Sequence, residues 1–257
     1  MKISATIITF NEAAQIRRAC ESVAWADEII VVDSESTDQT REIAAQCGAV
    51  VLTRRWPGFA RQKQFAAEQA SHDWIFSLDA DESVSDELSR EILQIKNSPL
   101  NPIADGYRIP RLTFYMNRWI RSSGWYPDWQ LRFYNRQMGR WKDVLVHESI
   151  EMSPAARSEK LENPILHFSI TSAHHHNQII AERYAPLAAQ QMFERGRRTT
   201  QFKIMTAGLT AFCQSYLLKG GWRDGLAGFC IARFAAHHAF LKHLLLWEKQ
   251  QSAKNEK

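Results

Sequence analysis

Cysteine is scarce and unpatterned in this 257-residue chain: Cys20, Cys47, Cys213 and Cys230 are its four, and no C-x-x-C spacing occurs. That excludes a disulfide framework and a zinc cluster, and suits a reducing compartment. Long apolar runs are lacking as well. No uninterrupted stretch reaches the length of a spanning helix, and the opening MKISATIITF turns polar too soon for a signal peptide, so it reads as a buried first strand. Internal repeats and low-complexity tracts are missing, apart from a polar end after Glu248 that is expected to fray. Acidic residues run thin at one end only. Residues 181–257 hold 12 basic and 5 acidic side chains against 20 and 23 in residues 1–180, so a tail at +7 and a front at −3 lie beneath the net charge of +4. A basic tail suits nucleic acid, an anionic membrane or an acidic acceptor, and composition does not choose among them.

What is present is enough apolar content, 45%, for one sizeable core. The front third alternates short β-branched runs with helical segments, the pattern of parallel strands joined by crossover helices. Strands are expected at Ala5–Thr9, Ile29–Val32, Val50–Leu52 and Trp74–Leu78. Between them come a helix N-capped by Asn11 and carrying Ile16, Cys20 and Val23, a second with Ile43 and Ala44 inward, and a third over 58–70. Shorter strands follow at Tyr107–Leu112, Leu131–Tyr134 and Leu145–Ile150. From about residue 174 the chain reads as helical, with Ile179, Ile180, Tyr184 and Leu187 on one stripe and further helices at 199–219 and 222–248 separated by Lys219-Gly220-Gly221. His174-His175-His176 reads as surface, because consecutive helical residues point in different directions.

Ligands of open α/β sheets bind outside the carboxyl ends of the strands, which is where Thr9, Asp33 and Asp79 fall. Asp79 and Asp81 follow the apolar strand WIFSL with one residue between them, a spacing that aims both at one ligand. Hard cations such as Mg²⁺ or Mn²⁺ bind through one or two carboxylates plus phosphate oxygens; the same spacing also suits a solvated loop or a helix start. Asp33 ends EIIVVD and precedes the hydroxyl-rich SESTD, which reads equally as a base-and-ribose contact or as a capping loop.

Taken together, IITFNE, IIVVDSESTD and IFSLDADE resemble the nucleotide-binding half of the family 2 glycosyltransferases, which have the GT-A fold, over residues 1 to about 150. The resemblance implies an α/β domain with a mixed sheet flanked by helices, and sugar transfer from a nucleotide donor. It implies that Thr9, Asn11 and Glu12 rim the nucleotide pocket, that Asp33 reads the base, and that Asp79 and Asp81 handle ribose and metal–diphosphate. Arg61 in GFARQKQ matches a stretch where the family sets polar or basic residues near the nucleotide, although the family's frequent asparagine is replaced there by Gln64 or a neighbour. WYPDWQLRFYNR resembles the family's acceptor-side acidic motif. Asp128 is accordingly the preferred base, with Gln130 and Arg132 meeting the diphosphate. In DVLVHESI the chain departs from members whose base lies in a Glu-Asp pair; Glu148 is the second candidate base, and His147 either completes the metal shell or is an ordinary histidine. Trp125, Tyr126 and Trp129 suit a sugar face or plain core.

PDWQLRFYNR, the VHE segment and the basic tail narrow the resemblance to the lipopolysaccharide core β-1,4-glucosyltransferase subgroup. That implies an inverting, metal-dependent enzyme using UDP-glucose on a lipid-linked inner-core saccharide, peripheral at the cytoplasmic face of the bacterial inner membrane. The expected division is a catalytic domain over 1–170 and a helical, basic region over 171–257 facing membrane or a partner. Transfer to a polyprenyl phosphate is the rival acceptor. A nucleic-acid-binding module is the rival from another class, and the acidic front speaks against it.

Overall fold

A computed structural model describes residues 1–98, 104–143 and 148–255. The chain divides into two compact units, one of Met1–Leu112 with Asp128–His167 and the other of Thr113–Pro127 with the residues from Phe168 onward.

The first unit is built on strands β1 (Ile3–Thr9), β2 (Glu28–Asp33), β3 (Val50–Thr53), β4 (Trp74–Asp79) and β5 (Glu82–Val84), with helices α1 (Ile16–Ser22), α2 (Thr40–Gln46), α3 (Phe59–Gln69) and α4 (Asp86–Asn97) between and after them. Next come β6 (Gly106–Tyr115), β7 (Arg118–Ile120), β8 (Asp128–Asn135), β9 (Gly139–Trp141), β10 (Ile150–Met152), β11 (Ser158–Lys160) and β12 (Ile165–His167). The strand order is β3-β2-β1-β4-β8-β6-β12-β5, and β9 and β10 form a separate pair. β1 to β4 are mutually parallel, whereas β8 runs antiparallel to both β4 and β6. This is the mixed, helix-flanked α/β sheet of the GT-A class, with the expected parallel strands in place.

All seven residues of β1 are buried, as a central parallel strand covered on both faces requires. Its odd positions, Ile3, Ala5 and Ile7, meet Ile16, Ala19 and Leu88 on one side, while Ile8, Ile30 and Val32 meet Ala60, Ala66 and Ala67 of α3 on the other. Ser85 caps α4 by accepting from the Leu88 amide at 3.2 Å. Asn11 does not cap α1. The helix begins at Ile16 after Gln15, and Asn11 lies at φ 53° with its side chain turned to the next loop. The expected strand at Leu145–Ile150 falls largely outside the described residues; the described strand there starts at Ile150.

In the second unit β7 pairs with Thr113–Tyr115, and helices follow at α5 (Ala173–Gln178), α6 (Ala185–Glu194), α7 (Gln201–Cys213) and α8 (Gly225–Asn255). Ile180 is buried but Tyr184 and Leu187 are exposed. The cause is a π-helical turn over Ile179–Tyr184, whose extra residue breaks the 3.6-residue period that the stripe assumed. His176 is not at the surface: it is buried, its Nδ1 3.1 Å from the Tyr115 hydroxyl and its ring 4.0 Å from that of Phe234. α8 continues past Glu248 to Asn255. Among the described residues no helix is long and apolar enough to cross a membrane.

Leu78 is wholly buried immediately before Asp79. Leu78→Ala is expected to cost about 2–5 kcal/mol in urea unfolding, the usual range for emptying such a position.

Candidate functional site

Two loops at the carboxyl ends of β1 and β2 are stitched together by hydrogen bonds. Thr9 and Asp33 are register partners, and the Ser34 amide donates to the Thr9 carbonyl at 2.9 Å. Asp33 is fully buried and accepts from the Ser36 amide at 2.9 Å and from the Ser36 hydroxyl. The Asn11 amide donates to Ser36 Oγ at 2.8 Å, the Thr37 amide donates to Asn11 Oδ1 at 2.8 Å, and the Glu12 amide donates to Thr40 Oγ1 at 2.8 Å. Thr9, Asn11, Glu12 and Asp33 therefore sit in one constellation. The Gln62 amide of α3 joins it through Ser34 Oγ at 3.2 Å. Two buried atoms here, Thr9 Oγ1 and Gln62 Oε1, have no hydrogen-bond partner among the described residues.

Asp79 closes β4 against two cations. Its carboxylate lies 2.9 Å from Lys63 Nζ at Oδ1, in ion contact although off the hydrogen-bonding direction, and accepts from Lys63 Nζ at 3.1 Å and Arg132 Nη2 at 2.9 Å through Oδ2. Burial alone would raise this carboxyl; Lys63 and Arg132 overcome it and hold it far below the usual range. Arg132 also bonds Glu82 Oε1 at 3.0 Å, and burial, which would lower its guanidinium, loses to the attraction of Glu82 and Asp79. Glu82 is wholly buried and accepts in addition from Arg111 Nη1 at 3.1 Å and the Asp79 amide at 3.0 Å. Arg111 then reaches Asp128, which is its register partner across β6 and β8. The contacts run from Nε and Nη2 to Oδ2, at 2.9 and 2.7 Å. Gln130 Nε2 fixes the other oxygen of Asp128 at 2.8 Å. Glu148 enters from the opposite end, with Oε1 3.4 Å from Lys63 Nζ.

The network thus gathers Asp79, Asp128, Gln130, Arg132 and Glu148, and adds Lys63, Glu82 and Arg111, which were not singled out from the sequence. Arg61 stands apart from it, spending its exposed guanidinium on Asp143 at 2.8–3.1 Å. Lys63, two residues on and therefore on another face of α3, is the cation that faces inward. Its buried companions Ala60 and Ala67 at i−3 and i+4 mark that face, a signal available in the sequence.

Asp81 takes a different direction. Its Oδ2 lies 3.3 Å from His167 Nε2, brought there because β12 pairs antiparallel to β5 with His167 opposite Glu82. Glu12 is close by. Burial first, then repulsion from Asp81 and Asp38, pushes its carboxyl up to about 7. His147 lies outside the described residues. Among the described residues no group of three or more His, Cys, Asp or Glu side chains is arranged to enclose a cation. A carboxylate and an imidazole side by side are nonetheless a fitting pair of donors for a divalent ion that takes its remaining ligands from phosphate and water.

Fold and site together define an α/β domain that gathers its polar groups at the carboxyl ends of its parallel strands, with an acidic Asp-Ala-Asp turn at the end of the fourth. Sequence comparison agrees with that class: the profile for glycosyl transferase family 2 matches residues 4–163, and the chain belongs to this family. It is 33% identical to an uncharacterized glycosyltransferase of Rickettsia felis over 99% of this chain and 92% of that one. It is 32% identical to the lipopolysaccharide core biosynthesis glycosyltransferase LpsC of Rhizobium meliloti over 97% of this chain and 93% of that one. Among solved structures, residues 1–349 of S. aureus TarS in complex with UDP-GlcNAc align with a TM-score of 0.48 at 13% identity, over 98% of this chain and 92% of that one. The chain spans 46% of the longer TarS chain.

Two predictions follow from this geometry. Glu82→Gln strips compensation from two buried guanidinium groups and is expected to cost about 3 kcal/mol by chemical denaturation. In the metal-free protein, ionising Glu12 works against the fold, so its stabilising contribution is full below pH 4.5 and lost as pH rises through about 7. Carboxyl NMR titration is expected to show the Glu12 value falling in Asp81→Asn, and Glu12→Gln to flatten stability across that window.

Proposed function

We propose that this glycosyltransferase transfers a sugar, with inversion, from a UDP-sugar to a saccharide acceptor carried on lipid, and that the donor is UDP-glucose and the acceptor the lipopolysaccharide inner core. The observation that carries the reading is the continuous ion network that ties Asp79, where the Asp-Ala-Asp turn begins, to Asp128, the candidate base. The 32% identity to LpsC supports the acceptor class, and the motif resemblance supports the donor. Residues 1–170 form the catalytic domain, working at the cytoplasmic face of the bacterial inner membrane.

In this reading Asp33 and Ser36 receive the base, with Thr9 Oγ1 and Gln62 Oε1 supplying polar groups that have no hydrogen-bond partner among the described residues. Thr9, Asn11 and Glu12 rim that pocket. Asp81 and His167 would hold a Mg²⁺ or Mn²⁺ ion, with His147, which lies outside the described residues, as a further ligand; when bound, the ion would supply positive charge against the departing diphosphate. Lys63 and Arg132 add fixed cations around Asp79. Asp128, oriented on one oxygen by Arg111 and on the other by Gln130, takes the proton from the acceptor hydroxyl. The acceptor oxygen bonds to the anomeric carbon as the bond from that carbon to the diphosphate oxygen breaks, which inverts the configuration without a covalent enzyme intermediate. Glu148, paired with Lys63, is the alternative base.

Nucleotide release from UDP-, GDP- and dTDP-sugars, with and without Mn²⁺, tests the donor half, and labelled transfer to lipopolysaccharide core or polyprenyl phosphate tests the acceptor. Metal-dependent UDP release, lost in Asp81→Ala, is expected. Asp128→Asn is expected to lower kcat by about 10²–10⁴-fold while leaving donor affinity unchanged. That loss appearing in Glu148→Gln instead would move the base to Glu148.

A further inference from the structure

The turn between α7 and α8 presents large apolar side chains to solvent in a form the fold holds rigid. Leu217, Leu218, Trp222 and Leu226 are 57%, 83%, 56% and 68% exposed within ten residues. Their display is not a loose end. Asp224, buried beneath them, accepts from the Arg121 amide at 3.2 Å and from the Ser122 hydroxyl, and its carbonyl accepts from Arg118 Nη1 at 2.8 Å. The Ser123 amide donates to the Lys219 carbonyl at 3.0 Å. Gly221 and Gly228 pack backbone to backbone so closely that a Cβ on Gly228 would stand 1.8 Å from the Gly221 carbonyl oxygen. With Ser215 and Asp224 buried, the turn shows mainly apolar and cationic side chains, and Gln214 is the one exposed neutral polar residue at its start. α7 carries a further exposed apolar stripe of Phe202, Met205 and Leu209, spaced i, i+3, i+7.

Charge identifies the occupant. Residues 195–247 contain eight Lys and Arg and a single acid, which is the buried Asp224. At the tip itself Lys219 and Arg223 are exposed, and the Arg223 guanidinium lies 5.3 Å above the Trp222 ring. A second copy of this chain fits poorly, because a two-fold interface sets the patch against itself and opposes like charges. A nucleic acid matches the charge and finds one exposed ring, Trp222, which Arg223 already covers on one side, but gains little from three exposed leucines. An anionic bilayer answers both properties, since apolar tips enter the acyl boundary while flanking cations remain at the headgroups.

We infer that the α7–α8 turn is a membrane wedge that inserts Leu217, Leu218, Trp222 and Leu226 into an anionic lipid surface, with Lys219 and Arg223 on the headgroup phosphates. This deepens the reading of a lipid-borne acceptor and rests on it for its purpose, and the two fail separately.

Flotation of the full chain with vesicles of phosphatidylethanolamine and phosphatidylglycerol, against phosphatidylcholine alone, is the test, with UDP-sugar binding measured on the same samples. Binding to the anionic vesicles only is expected. Leu218→Glu with Trp222→Glu is expected to weaken it by about tenfold or more, and Lys219→Glu with Arg223→Glu to weaken it and flatten its salt dependence. Both variants are expected to keep the wild-type donor affinity, which shows that they are folded. Failure to bind anionic vesicles, or unchanged binding by the Leu218→Glu, Trp222→Glu variant, would overturn the wedge. So would sedimentation showing a dimer that the same variant dissolves, or tighter binding to an oligonucleotide than to vesicles. Loss of donor binding in the wild type would instead overturn the proposed reaction and leave the wedge standing.

Discussion

Everything around the candidate centre depends on how two buried cations, one half-buried cation and their carboxylates neutralise one another. Lys63, Arg111 and Arg132 come from α3, β6 and β8, and the acids they meet, Asp79, Glu82, Asp128 and Glu148, come from four different points in the sequence. Taking such groups out of water costs several kcal/mol per ion, and only dense reciprocal contact offsets it. The network is therefore all or nothing: Glu82, wholly buried, is tolerable because two guanidinium groups and the Asp79 amide reach it at once. A consequence is that the strand ends cannot drift independently. Arg111 and Asp128 face each other across antiparallel strands, and that register fixes the carboxylate before any ligand arrives.

The two carboxylates of the Asp-Ala-Asp turn, two residues apart, have opposite surroundings. Asp79 faces cations that hold it ionised and occupy its oxygens, whereas Asp81 faces another acid, Glu12, and an imidazole, His167. An anion held among cations is satisfied. An anion beside a second anion calls for a counter-charge, and the elevated Glu12 carboxyl registers that demand in the protein alone. In the proposed reading the metal therefore falls to Asp81 rather than being shared equally, and Asp79 stands between the cationic interior and that acidic rim.

The parallel half of the sheet was legible because its signals are local. Each strand is a short β-branched run, each is followed by a helix with a visible apolar face, and the polar residues that end β1, β2 and β4 fall where ligands bind α/β sheets. Asp33 and Asp79 were readable for that reason. What escaped depends on pairing between distant segments. His167 reaches Asp81 only because β12 lies antiparallel to β5, and nothing within ILHFS announces it. Lys63 was within reach, since the alanines three before and four after it mark the inward face of α3, but the basic residue two positions earlier drew the reading instead. The misplaced apolar stripe in the helical region has one physical origin. Periodicity assumes 3.6 residues per turn, and the π-helical turn at Ile179–Tyr184 shifts every later position, sending Tyr184 and Leu187 outward.

The same accounting bears on why the helical unit is basic at all. In the first unit the buried ions of the central network are paired with one another, and acids outnumber bases there by 23 to 18. In the helical unit the one acid between Glu194 and Glu248 is buried and used to brace a turn. That acid also meets Arg118, and the cations in excess of it add a self-repulsion that is a standing cost to stability. The exposed leucines at the same turn carry a second cost in water, because each leaves apolar area unburied that the fold has room to cover elsewhere. Two unfavourable features displayed on one braced element are each relieved by the same kind of surface, one that is anionic outside and apolar within.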